Sequence, residues 1–312
     1  MNLTVTREHG DAATGDGIVV MTGATSGIGA VAARHIARTT RTRLLVGARG
    51  EPPDYGEGIK LDLANLESVR AFAGEVEERR MGRPIDVLIL NAAVGTNPNN
   101  SVTAQGYEVT FAVNHLAHYL LLRLLMPALA PGARVVITTS NTHDPRTSPV
   151  PPRHADAGRL AHPETDPQYE GPSFARAFRA YASSKLCNLL TARALASSPM
   201  ALDRGITVVA YNPGFTPGTA LGRNLPMPQR IMIRLVTWIV RRLPRINTMS
   251  QGGELLADLA LGRIAPPRGH IYASVVRRQL TWPDPSDLAR DDVVMAKLWA
   301  DSARLVGLPE VA

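Results

Sequence analysis

Residues 17–29 read GIVVMTGATSGIG. The first seven form a short apolar run closed by a glycine, the pattern of a strand buried on both faces. Glycines at 23, 27 and 29 allow a tight turn and leave its backbone bare. The residues that follow, AVAARHIARTT (30–40), take up a helical pattern. A helix that starts on such a turn presents free N–H groups and the positive end of its dipole, which suits a pyrophosphate. A glycine-rich string by itself is equally a flexible loop. The strand–turn–helix context is what the phosphate-binding mechanism requires.

The same alternation repeats outward from this stretch. TRLLVGA (42–48), GIKLDL (58–63), IDVLILNAA (85–93), RVVITTS (134–140), ITVVAYNPG (206–214) and HIYASV (270–275) read as further strands. Helical segments follow at 66–80, where Asn65 is a cap, at 106–129 and at 175–197. Nearly continuous apolar strands alternating with helices predict an α/β fold, a doubly wound parallel sheet of the Rossmann type with about seven strands. No composition break or repeat divides the chain. A flexible tail (1–16) is expected before one domain (17–312). That domain carries two excursions, an insertion loop at 141–174 and a lid segment at 216–250. The link EPPDYGEG (50–57) has two prolines. It is shorter than the dozen residues of an ordinary crossover, so the helix between strands two and three is expected to be missing and the adenosine pocket more open.

Composition narrows the function classes. Cys187 is the only cysteine, which excludes an intramolecular disulfide and favours a reducing, cytoplasmic setting. The N-terminus lacks the basic start and apolar core of a signal peptide. No apolar run reaches the ~18 residues of a membrane span. The net charge is +7, but the arginines are scattered and no nucleic-acid motif accompanies them, so an anionic cofactor and a solvated surface account for it. No Cys/His/carboxylate spacing supports a metal site. His115 and His118 are assigned packing or surface roles, and Cys187 a buried apolar one.

RAYASSKLCNLL (179–190) sets Tyr181 and Lys185 four positions apart, on one helix face. Alone, the pair is an ordinary chance spacing. In a chain that also builds a dinucleotide turn it acquires a use. A carbonyl that accepts a hydride needs a proton, and an ammonium beside a phenol is expected to lower a pKa that is ordinarily about 10.

The Gly-x-x-x-Gly-x-Gly of TGATSGIG (22–29) resembles the cofactor turn of the short-chain dehydrogenases/reductases. Further stretches agree in that family's order. LNAAV (90–94) is similar to its Asn-Asn-Ala-Gly strand end, departing at Leu90 and Ala93. FAVNHLAHYLLL (111–122) resembles its structural Asn helix, RVVITTS its Ser strand, YASSK its Tyr-x-x-x-Lys helix and NPG (212–214) its turn after strand six. The resemblance spans residues 17–310. YASSKLCNLL, THDP and KLWADSARLVGL look most like the retinol dehydrogenase and protochlorophyllide oxidoreductase branch and its actinobacterial relatives.

The resemblance implies an NADP(H)-dependent oxidoreductase with Asn114, Ser140, Tyr181 and Lys185 as its catalytic set. Tyr181 would be the proton donor or acceptor, and Lys185 would also hold the nicotinamide ribose. Ser140 would bond the substrate oxygen, and Asn114 would hold a water that relays protons to Lys185. Thr139, where the family often has a second Ser, keeps a hydroxyl available. The implied cofactor residues in the glycine turn are Gly23, Thr25, Ser26, Gly27, Ile28 and Gly29. Arg49, Asp62, Leu63, Asn91, Ala92, Ala93, Tyr181, Lys185, Pro213, Gly214 and Thr216 complete the set. Ala48 stands where NAD users often carry Asp, and Arg49 suits a 2′-phosphate, so NADP(H) is expected over NAD(H).

Other functions on the same frame are a non-ketone reduction, a dehydration, or a catalytically silent nucleotide-sensing protein. The chain has NPGF where the protochlorophyllide group resembles YPGC, with Phe215 in the Cys position. Residues 229–243 read as a helix with a polar stripe of Arg230, Arg234, Thr237 and Arg241 on an otherwise apolar surface. It suits a packed helix, a substrate lid or a membrane-surface anchor. The family favours the lid, and with it a bulky hydrophobic carbonyl or alcohol substrate. The helices that pair across subunits in the family would be covered here by 141–174, so a monomer is expected.

Overall fold

In the computed structural model, residues 17–96, 101–216 and 247–310 are described. Eight strands form one sheet: β1 (Ile18–Thr22), β2 (Arg43–Ala48), β3 (Glu57–Lys60), β4 (Ile85–Leu90), β5 (Leu129–Thr138), β6 (Thr207–Asn212), β7 (Tyr272–Val276) and β8 (Gln279–Thr281). Their order is β3-β2-β1-β4-β5-β6-β7-β8. The first seven are mutually parallel; β8 turns back antiparallel on β7. The sequence patterning finds the seven and misses the eighth. The order reverses at β1, the crevice where open α/β sheets bind their ligands.

The period of two divides each strand between two cores. Ile18, Val20, Leu45, Ile85 and Leu88 face one side, covered by α2 (Leu66–Arg80), α3 (Val109–Ala128) and α4 (Ser173–Ala196). Val19, Met21, Leu44, Val46, Val87 and Ile89 face the other, covered by α1 (Gly27–Thr39) and α5 (Met249–Ala260). Helix α3 is long and apolar enough to cross a membrane, but 83% of that stretch is buried inside the protein. A last helix, α6 (Asp292–Leu305), packs across α3 and α4.

Asn65 caps α2 as expected, accepting from Glu67 N–H at 3.0 Å. Residues 49–56 join β2 to β3 in parallel without a helix. Within them Pro52 lies so close to Gly58 that a Cβ there would sit 2.1 Å from it.

Candidate active site

Strands β1, β4, β5 and β6 end along one edge, and the loops after them carry Gly23, Asn91, Ser140 and Pro213. At Gly23 (φ +72°) an added Cβ would lie 2.7 Å from Ala92 Cα; at Gly29 it would lie 2.0 Å from Gly23 O. These two glycines hold the turn against its own strand neighbours. Gly27 (φ +59°) has open space where a side chain would be. Ser26 precedes α1 without a side-chain cap bond, so the first-turn N–H groups have no such acceptor. Thr25 and Ser26 are exposed beside them. An open cradle of uncapped donors fits a dinucleotide pyrophosphate.

Thr22 Oγ1 accepts from Asn91 N–H (3.0 Å) and Ala92 N–H (3.1 Å), so its own hydrogen goes to His118 Nε2 at 2.9 Å. His118 Nδ1–H then donates to the Asn114 carbonyl at 3.0 Å. Burial, with Lys185 nearby, holds His118 down to about 4, so the ring is neutral. Asn91 donates from Nδ2 to Gly23 O and accepts from Thr138 Oγ1 at 3.0 Å. The ends of β1, β4 and β5 and helix α3 are thereby tied into one network.

Asn114 lies in a π-helical turn, Ala112–Leu116, within α3. Its Oδ1 accepts from Val94 N–H at 2.8 Å, and its Nδ2 donates to Val94 O and to Ser184 Oγ, each at 3.1 Å. The side chain clamps the loop after β4 to α4, and the Asn114 backbone carbonyl already accepts from His118.

Helix α4 brings Tyr181 and Lys185 to the end of β5. Lys185 Nζ lies 5.8 Å from the Tyr181 ring centroid and donates to Thr138 O at 3.2 Å. Asn188, one turn on, donates to the same carbonyl at 3.1 Å. Burial takes Lys185 down to about 7. Burial pushes the Tyr181 phenol up to about 12, opposed by the Ser140 hydroxyl. The sequence-based expectation of a lowered phenol is thus not met here: desolvation dominates, and the ammonium faces the ring. Thr139 is no spare hydroxyl either, since it donates to the Lys185 carbonyl at 2.6 Å. Cys187 is fully buried, and burial raises its thiol, as suits an apolar packing residue.

Arg49 follows β2 and is exposed at the rim. Asp62 follows β3; its Oδ1 accepts from Ala64 N–H, and Leu63 beside it is buried. The short β2–β3 link does not leave the turn uncovered. Tyr55 within it donates its hydroxyl to Ala24 O at 2.7 Å, under the Arg34 guanidinium. No local spacing in the sequence announces Tyr55.

After β6, Gly214 (φ +67°) lets Asn247 approach: a Cβ there would sit 2.3 Å from Asn247 Nδ2. That nitrogen donates to Pro213 O (3.0 Å) and Val275 O (3.1 Å). Thr216 is buried against the same turn, with Ala92 half-buried and Ala93 exposed across the crevice. The proposed lid helix, 229–243, lies outside the described residues, as does the tail. The lid's expected end at 250 overruns: Thr248 already caps α5, accepting from Gln251 N–H.

Residues 17–148 match the short chain dehydrogenase family. The chain is 31% identical to protochlorophyllide reductase A, chloroplastic, of Arabidopsis thaliana over 94% of its own length and 77% of the relative's. It is 30% identical to the protochlorophyllide reductase of Avena sativa over 93% and 100%. A crystal structure of an uncharacterized Mycobacterium paratuberculosis protein superposes with a TM-score of 0.69 at 26% identity, covering 96% of this chain and 97% of that one. Glycine turn, strand order, buried Tyr–Lys pair and these likenesses agree: the chain belongs to the short-chain dehydrogenase/reductase family, in the branch of the protochlorophyllide reductases and retinol dehydrogenases.

Proposed function

We propose that this protein is an NADP(H)-dependent reductase of a carbonyl on a bulky hydrophobic molecule, with Tyr181 as proton donor. The observation that carries this proposal is the buried Tyr181–Lys185 pair beside Ser140, at the strand ends that surround the glycine turn. The fit of that turn to a dinucleotide supports the cofactor class. Gly23–Gly29 would hold the pyrophosphate, Asn91–Ala93 and Pro213–Thr216 the nicotinamide half, and Asp62 and Leu63 the adenine side. When bound, the reduced cofactor supplies a hydride. The Ser140 hydroxyl donates to the substrate oxygen and orients it. As the C–O bond becomes an alkoxide, the Tyr181 phenol passes its proton to that oxygen, and the charge left on Tyr181 is stabilised by the Lys185 ammonium. A phenol held up to about 12 is fully protonated at neutral pH, the form a donor needs.

The approach to Tyr181 supports an apolar substrate. Phe178 lies 6.5 Å from its ring, and Phe174, half exposed, lies 6.4 Å beyond. Phe215, 67% exposed, follows the β6 turn. The curated relatives are named for protochlorophyllide. Phe215 stands where the resemblance to that group implies a cysteine, so another carbonyl is proposed here.

The test is a screen of large and small ketones with NADPH, followed by loss of cofactor absorbance. Tyr181→Phe lowers turnover at least about 100-fold while NADPH still binds. Near-wild-type turnover in that variant would remove Tyr181 from the mechanism. Arg49→Ala weakens NADPH far more than NADH, because only NADPH carries the 2′-phosphate. An unchanged preference in fluorescence titrations would assign that phosphate elsewhere.

A further inference from the structure

We propose that Arg153, Arg176 and Arg179 form a binding site for a small tetrahedral oxyanion of the phosphate class, on the face of α4 turned away from Tyr181. Helical spacing places Arg176, Arg179 and Ser183 roughly opposite Tyr181. With the 141–174 excursion they enclose a cavity of about 40 Å³ that is also lined by His154, Arg159 and Asp166. One water needs ~10–15 Å³ measured this way, so the space takes an ion of a few heavy atoms.

The charges around this cavity do not balance. Asp166 is spent: Arg159 forms an ion pair with it, His154 Nε2 lies 2.9 Å from its Oδ2, and Gln168 N–H donates to it. Burial works against its ionisation, yet these partners hold it down to about 2. Glu108 is spent as well, accepting from Thr110 N–H (2.9 Å) and Phe111 N–H (2.7 Å) at the start of α3. The other three guanidiniums donate to backbone carbonyls of a single turn, and Arg176 also lies over the Tyr169 ring at 5.1 Å. Arg153 donates to Gln168 O at 2.6 Å, Arg176 to Gly171 O at 2.8 Å and Arg179 to Glu170 O at 3.3 Å. Among the described residues none of the three has a carboxylate within 4.0 Å.

Two further observations point to an absent acceptor. The Nε atoms of Arg176 and Arg179 are sealed from solvent without a hydrogen-bond partner. An enclosed donor without an acceptor is costly, and an oxyanion accepts several such donors at once. Helix α4 also starts here on Pro172, with neither a side-chain cap nor an acidic residue in its first turn, so its positive end adds to the field. Burial and then repulsion from Arg153 hold Arg179 below the ordinary arginine value, against a smaller pull from Asp166 and Glu170, and a bound anion would relieve that. Occupancy would stiffen the excursion that starts after Ser140 and runs into the helix of Tyr181.

The test is calorimetric titration of inorganic phosphate into the full chain saturated with NADPH, at constant ionic strength against chloride. Thermal unfolding is followed in parallel. Saturable one-to-one binding and a raised Tm are expected. Arg179→Gln weakens binding at least about tenfold. Arg153→Gln, at an exposed position where folding is not at stake, weakens it in the same direction. Arg49→Ala leaves it unchanged, which separates the site from any phosphate contact of the cofactor. Glycerol 3-phosphate in place of phosphate identifies the source: tighter binding points to a monoester, equal or weaker binding to the free ion. Absence of saturable heat in the wild type overturns the proposal, and so does equal affinity in the Arg153→Gln and Arg179→Gln variants.

Discussion

Lys185 is held near 7 by burial, against 10.5 for an ordinary lysine. Between those values the unfolded chain carries a proton that the folded chain lacks. Burial of this side chain therefore costs most below pH 7, and the cost fades as pH rises towards 10.5. The same imbalance has a consequence for binding. At pH 8 the cofactor-free lysine is largely neutral. An anionic cofactor beside it favours the ammonium and raises its pKa, so binding takes up a proton. Calorimetry of NADPH binding at pH 8 in two buffers of different ionisation enthalpy is expected to give different heats. Lys185→Met removes the difference; identical heats in the wild type would mean that Lys185 is already charged. At this scale the pairing of Tyr181 with Lys185 was legible because the helix period is local, whereas Ser140 and Asn114 entered only through the family resemblance. The contacts of Thr139, His118 and Tyr55 were not legible. Their partners lie 46, 96 and 31 positions away, and no local spacing encodes such a contact.

Among the elements, the β2–β3 link shows what a missing helix leaves behind. Its two prolines and its length announced the loss, but not that Tyr55 would fold back on the glycine turn. Tyr55→Phe keeps the ring under Arg34 and removes only the bond to Ala24 O. Loss of one net hydrogen bond lowers folding stability by ~1 kcal/mol, and as that bond holds the glycine turn, NADPH affinity falls by up to roughly fivefold. Equal affinity in a fluorescence titration would reduce Tyr55 to packing. Strand β8 escaped sequence analysis because its turn carries Arg277 and Arg278 at φ +50° and +66°, where glycine or asparagine is the usual signal. Helix α5 was hidden by Gly252 and Gly253 within SQGGELLADLA.

At the scale of the whole molecule, the outer faces of α3 and α4 are occupied from within the chain. Helix α6 bonds Tyr119 OH through Trp299 O at 2.8 Å, His115 through Ser302 Oγ at 2.9 Å and Arg193 through Asp292 at 2.7 Å. The excursion joins it through Asp156 and Lys297 at 3.0 Å. The sequence-based expectation credited 141–174 alone with this cover; α6 supplies much of it. A face already buried offers little to a second subunit, so light scattering should return the monomer mass of 33.5 kDa. A stable tetramer would contradict it.

The junction at Asn247 has a meaning for descent as well as for geometry. Its side chain ties Pro213 to Val275 and accepts from Arg278 N–H at 2.9 Å. The chain that leaves after Thr216 therefore re-enters the domain at the turn it left. A loop whose ends are fastened together can change length cheaply: each doubling costs only ~0.6 kcal/mol of closure entropy. Whatever sequence lies between those ends is a cassette. Lineages that share this sheet can therefore lengthen or shorten the sequence between those ends while the junction that fastens them is inherited unaltered.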